Sequence, residues 1–196
     1  MKPIFPPKLQ PGDKVMICSP SDSLHFMSQE MRSIAHDRLK SLGLDVVYSQ
    51  HAEEWNEFDT SSVESRVSDL HQAFADPSVT AIIAAFGGYT SHQLLAHLDW
   101  GLIRDNPKIV LGFSDITALQ NAIFTQTGLV TYSGPNYAEI GQKLHFEYTF
   151  RYLKACLIED SPIHVQPSDT WSDDNWYTNQ EDRTLIPNSG PLPITP

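Results

Sequence analysis

Two stretches of this chain are apolar almost without a break: Val79-Thr80-Ala81-Ile82-Ile83-Ala84-Ala85-Phe86 and Lys108-Ile109-Val110-Leu111-Gly112-Phe113. A strand with one wet face alternates apolar and polar side chains. A run without that alternation is dry on both faces, as a central strand of a parallel sheet is. Parallel neighbours need long, usually helical crossovers, so the rest of the chain must supply helices for both sides of the sheet.

The flanking sequence does so. Lys14 to Ser19 is a short apolar run, read as the first strand, and Ser19-Pro20-Ser21-Asp22 after it is a loop signature. Met27, Met31, Ile34, Arg38 and Leu42 recur every three or four residues, which predicts a helix from Phe26 to Leu42, stopped by Gly43. Leu44 to Tyr48 is a second strand. Ser61 with Glu64 reads as a capping box opening a helix that carries Val63, Val67, Leu70 and Phe74 on one face, and Pro77 closes that region. A short helix through Leu94, Leu95 and Leu98 follows the first apolar run. After the second, Ile116, Leu119 and Ile123 mark a helix ending at Gly128. Leu129 to Tyr132 is a fifth strand, ending at Gly134-Pro135, and Phe146 to Ile158 is a last helix.

This alternation predicts an α/β fold: a three-layer, Rossmann-like (flavodoxin-like) domain with a mostly parallel sheet. The strand order is not legible. From Glu159 onward Pro, Asp, Ser and Asn dominate. Residues 1–160 are therefore expected to form the α/β domain, and 161–196 an irregular Pro/Asp-rich tail.

The formal net charge of −11 argues against a nucleic-acid partner and against docking on anionic lipid, both of which need a basic surface. No run approaches the roughly 18 apolar residues of a membrane span, and the first residues lack the apolar stretch of a signal peptide, so a cytoplasmic location is expected. Cys18 and Cys156 read as small buried hydrophobes, with no second cysteine at metal-ligand spacing.

Ligands of open α/β sheets bind beyond the carboxyl ends of the strands. Three loops there carry groups that bind or react: Ser19 to Asp22, Gly87 to Ser91, and Gly112 to Asp115. In Gly112-Phe113-Ser114-Asp115 a buried strand turns into a helix, where a serine hydroxyl is exposed and the next N–H is free for an oxyanion. Only half of the hydrolase elbow G-x-S-x-G is matched, since Ile116 occupies the second glycine position. From the local pattern, a helix cap at Ser114 explains these residues as well as a nucleophile does. Gly87-Gly88-Tyr89 fits either a tight turn or a loop whose N–H groups face a ligand. The histidines are His25, His36, His51, His71, His92, His97, His145 and His164. His92 alone lies near a candidate loop, and none forms a recognisable pair with a carboxylate.

Taken in order, Gly87-Gly88-Tyr89-Thr90-Ser91, then Asn106 through Leu119 with Gly112-Phe113-Ser114-Asp115 at its centre, then Thr127 through Pro135 resemble the LD-carboxypeptidase and microcin C immunity family of serine peptidases. Gly12-Asp13-Lys14-Val15 and Ser19-Pro20-Ser21 fit as well, and Trp171-Ser172-Asp173-Asp174 looks more like the microcin-immunity branch. The resemblance implies that Ser114 is the catalytic nucleophile, that the N–H groups of Gly88 and Asp115 form the oxyanion hole, and that Gly87, Tyr89 and Ser91 contact substrate. It implies cofactor-free, metal-free hydrolysis through an acyl-enzyme. The substrate would be a small peptide, as when D-alanine is removed from murein tetrapeptides, or a peptidyl-nucleotide like processed microcin C. It further implies a homodimer of the full-length protein.

Two departures matter. The LD-carboxypeptidase branch has an Arg before its Gly-Gly, where this chain has Phe86. The family's Glu and His of the triad come from a second domain, and no residue here can inherit either role. The chain is thus expected to be a nucleophile-bearing N-terminal domain whose residues 161–196 lead toward a second one. The alternatives are a non-catalytic Rossmann-like module binding a small ligand, and a distinct hydrolase with His92 as its base.

Overall fold

In the computed structural model, which describes residues 2–175, 177–178 and 180–190, the two apolar runs lie side by side within one sheet. They form β3 (Val79–Ala84) and β4 (Ile109–Gly112), and every residue of β4 is buried. With β1 (Lys14–Cys18), β2 (Asp45–Tyr48) and β5 (Tyr132–Ser133) they make a five-stranded, wholly parallel sheet in the order β2-β1-β3-β4-β5. This is the doubly wound order, in which the chain first moves to one side of β1 and then crosses to the other.

That reversal puts the first two long helices on opposite faces. α1 (Gln29–Ser41) buries Ala35 and Leu39 against Val15, Ile17, Ile83 and Leu111. α2 (Val63–Ala75) sends Leu70 and Phe74 to the other face, against Met16, Ile82 and Val110. α3 (Trp100–Asp105) and α4 (Ile116–Thr127) join α2 there through Ile103, Leu119 and Ile123. α5 (Tyr137–Ile140) and α6 (Glu147–Leu157) join α1. Adjacent residues of one strand therefore serve two separate cores, which is why neither run alternates. Cys18 belongs to the second core, and burial pushes its thiol up to about 12.

Several boundaries differ from the sequence expectation. Residues before Ser28 form only a short 3-10 turn (Leu24–Phe26), because Ser28 caps α1 by accepting Met31 N–H at 3.2 Å. The cap of α2 is Ser62, which accepts Ser65 N–H at 3.0 Å, and not Ser61, whose buried hydroxyl has no partner among the described residues. α3 went unread because its six residues, capped by Asp99, are too few to show a period. β5 starts later than expected, since Leu129 is spent on an isolated bridge to Ile4. In the tail, Thr170–Trp171 and Ile186–Pro187 pair as a two-stranded antiparallel ribbon, β6 and β7. The expected linker reaches into 191–196, outside the described residues. Among the described residues, no helix is long and apolar enough to cross a membrane.

A strand buried on both faces makes a specific prediction. Ile82→Ala and Ile83→Ala, one substitution in each core, should each cost about 2–5 kcal/mol in urea unfolding. A strand with one wet face would lose that much from only one of the two.

Candidate active site

β4 ends at Gly112 and α4 begins at Ile116, so three residues reverse the chain. Turning this sharply forces Ser114 to a φ of 60°. The left-handed region costs a side-chain-bearing residue about 1–2 kcal/mol, so the surroundings must impose it. They do so from several sides. Gly134 N–H and the buried Gln120 Nε2 both donate to Gly112 C=O, at 3.1 and 3.0 Å. Phe113 N–H donates to Oδ1 of the buried Asn136 at 3.2 Å, and Thr117 N–H to Ser114 C=O at 3.0 Å. A Cβ on Gly112 would stand 2.9 Å from Ile116 Cγ2 and 3.0 Å from Asn136 Oδ1, so only glycine fits beneath the turn. The Ser114 side chain is exposed, and its hydroxyl has no partner among the described residues. It caps nothing.

The loop after β3 lies directly on this serine. A Cβ placed on Gly87 would be 3.0 Å from Ser114 Cβ and 3.2 Å from its Oγ. Gly88 follows at φ 136°, and a Cβ there would fall 2.0 Å from Asp22 Oδ1 and 2.4 Å from Ser21 Oγ. The loop after β1 thus presses on the glycines from the far side, and Asp22 N–H donates to Gly87 C=O at 3.0 Å. Asp115 joins all three loops. Its Oδ2 accepts from Ser21 Oγ at 2.7 Å and from Ser91 N–H at 2.8 Å, and its carbonyl accepts from Ser91 Oγ at 2.8 Å. Among the described residues, the N–H groups of Gly88 and Asp115 have no acceptor.

Residues 15–134 match the family model of the LD-carboxypeptidase N-terminal domain. The chain belongs to the LD-carboxypeptidase family. It is 48% identical over 191 residues to YocD of Bacillus subtilis, a carboxypeptidase by name, which covers 97% of this chain and 59% of YocD. A crystal structure of an MccF-like protein from Bacillus anthracis superposes with a TM-score of 0.92 at 53% identity, over 95% of this chain and 57% of that one. The microcin C7 self-immunity protein MccF of Escherichia coli, solved in complex with aspartyl sulfamoyl adenosine, gives a TM-score of 0.86 at 26% identity, over 95% and 58%. The chain spans a little under three-fifths of the length of these relatives.

Within this LD-carboxypeptidase domain, the residues singled out in the sequence separate by environment. Ser114, Gly87 and Gly88 come together. Tyr89 is 87% exposed on the rim. Ser91 is buried, with its hydroxyl committed to Asp115. His92 is exposed and bonds to none of them, although its charge bears on Asp115. Burial works against the Asp115 carboxylate, but hydrogen bonds from Ser21 and Ser91 outweigh it and hold the group below its usual range. Burial, reinforced by Asp59 and Asp115, pushes Asp22 up to about 6. Asn136 and Gln120, which brace the elbow, lie outside every motif. One His–carboxylate pair does exist: Asp69 Oδ1 holds His51 Nδ1 at 2.6 Å, beside β2 and apart from the elbow strand.

The backbone strain can be measured. At an ordinary exposed site, glycine is about 1 kcal/mol less stable than alanine. At position 114 the order should disappear or reverse, with Ser114→Gly at least as stable as Ser114→Ala in urea unfolding. A Gly variant less stable than Ala by the ordinary margin would mean that the turn is unstrained.

Proposed function

We propose that this chain is the nucleophile-bearing part of a cytoplasmic serine carboxypeptidase or amidase that works through an acyl-enzyme. One observation carries the assignment: a serine forced to φ 60° at a strand-to-helix turn, its hydroxyl unpartnered among the described residues and directly against Gly87, the chain neighbour of Gly88. Ser114 Oγ attacks the scissile carbonyl carbon, and its proton passes to an imidazole supplied from outside residues 1–196. The carbonyl oxygen becomes an oxyanion and takes hydrogen bonds from Gly88 and Asp115 N–H, preorganised donors of the kind that typically contribute about 2.7–4 kcal/mol each. Collapse expels the amine, which receives the proton, and water then releases the acyl group by the same route.

Gly87, beside Ser114, and the exposed Tyr89 contact substrate. Ser91, with its hydroxyl already engaged, acts through Asp115. Residues 1–160 constitute the nucleophile domain and 161–196 an extension toward a second domain carrying the triad Glu and His. Two substrates fit the relatives' chemistry: an LD-peptide of murein losing its terminal D-alanine, or an aspartyl-nucleotide conjugate of the microcin C kind. Both present an acyl group on an amide-type bond, a peptidyl group in the first and an aspartyl group in the second. The full-length protein is expected to be a homodimer.

The test uses the full-length protein and a fluorophosphonate probe, with the adduct located by mass spectrometry. Label should appear on Ser114, and Ser114→Ala should lower turnover of a murein tetrapeptide or an aspartyl-nucleotide conjugate by about a million-fold. Label on another residue, or hydrolysis surviving in Ser114→Ala, contradicts the assignment. Tight binding of either compound without turnover would instead make the domain a binding module.

A further inference from the structure

α2 buries two charged side chains, Arg66 and Asp69, beside Leu70, Ala73 and Phe74, and Asp69 is taken up by Ser49 and His51. Arg66 is only 2% exposed. Removing a guanidinium from water costs several kcal/mol unless its donors are met, and a well-packed apolar side chain is often as stable or better at such a position. The core alone therefore gives no reason for an arginine. Burial lowers its pKa, with the charge of Asp115 opposing that shift.

The donors are met by backbone and neutral side chains. Nη1 donates to Pro20 C=O at 3.2 Å, to Thr90 C=O at 3.1 Å and to Thr90 Oγ1 at 2.9 Å. Nη2 donates to Gln93 Oε1 at 2.7 Å, and Nε to Ser62 C=O at 3.3 Å within its own helix. Pro20 and Thr90 lie on different loops, those after β1 and β3. Pro20 precedes Ser21, whose hydroxyl donates to Asp115 and lies against Gly88. Thr90 precedes Ser91, whose N–H and hydroxyl also bond to Asp115. Thus a single planar fork grips two loops one residue away from the contacts that join both to the elbow.

We propose that Arg66 is a positioning residue for hydrolysis at Ser114: by holding Pro20 and Thr90 together, it sets the Gly88 loop at its working distance from the elbow. Arg66 touches neither the serine nor the cleft, and it acts through Ser21, Ser91 and Asp115. The inference rests on Ser114 being the nucleophile and Gly88 an oxyanion donor. Lysine keeps the charge, but its side chain ends one atom short of Nη1 and has no second nitrogen for Gln93, so it cannot reproduce this grip on the two loops. A misplacement near 1 Å at a reacting centre can cost about a hundredfold in rate, while ground-state binding of substrate is far less sensitive.

The experiment compares Arg66→Lys, Thr90→Val and Ser114→Ala in the full-length protein, well below each variant's melting temperature. Arg66→Lys should lower kcat by about tenfold or more with KM within threefold. Its affinity for a peptide boronate, which forms a tetrahedral adduct on the serine, should fall in step with kcat/KM. Thr90→Val, which removes one acceptor and leaves Arg66 in place, should shift both quantities the same way by less. If Arg66→Lys fails to fold, Thr90→Val still decides. If Ser114→Ala is inactive while the folded variants keep kcat and boronate affinity within twofold, the role of Arg66 is overturned and the nucleophile stands. If Ser114→Ala remains active, the nucleophile itself is wrong and Arg66 loses its role with it.

Discussion

Three residues between Gly112 and Ile116 must turn a fully buried strand into a helix, and Ser114 carries the strain of that turn. The left-handed backbone at Ser114 persists because Asn136, Gln120 and Gly134 hold the peptide groups on its strand side while α4 starts at once on the other. Each support depends on the sheet. Gln120 also donates to Tyr132 C=O at 2.7 Å, so β5 must sit beside β4 before the elbow is braced. Asn136 caps α5, which packs on α1 across the opposite face. Parallel order, helix placement and the exposure of one hydroxyl thus form a single mechanical chain.

The second constraint is the crowding of three loops at the carboxyl edge. Gly88 holds a φ of 136° that favours glycine, with Asp22 and Ser21 where a side chain would go, and a side chain at 87 would crowd Ser114. The carboxylate of Asp115 could have capped α4. Instead it is turned to bind Ser21 and Ser91, so no side chain caps the helix start, where the Asp115 N–H is itself without an acceptor among the described residues. Local helix stability is given up for the alignment of neighbouring loops. Such a departure from local preference is common where a fold holds reactive groups.

Much of this was legible in the sequence. The unbroken apolar runs gave away β3 and β4 because burial on two faces removes alternation, and the loops worth inspecting followed from the ends of those strands. What stayed hidden depends on contacts between distant residues. On paper Ser61, with Glu64 three residues on, is the cap, and only the path of the chain into α2 chooses Ser62. The sequence alone left a helix cap at Ser114 open, and only its φ and its uncommitted hydroxyl remove that explanation. Arg66 belongs to no motif in the sequence. Its acceptors are 24 or more residues away at Thr90 and Pro20, and no local pattern announces them.

The central claim is that this elbow and the glycine loop form one site for a tetrahedral oxyanion. A crystal structure of the full-length protein with a peptide boronate tests it most directly. The account predicts a covalent bond from Ser114 Oγ to boron, with one boronate oxygen about 2.7–3.1 Å from the nitrogens of both Gly88 and Asp115. A boronate bonded to another residue, or one whose oxygens avoid both nitrogens, would contradict it.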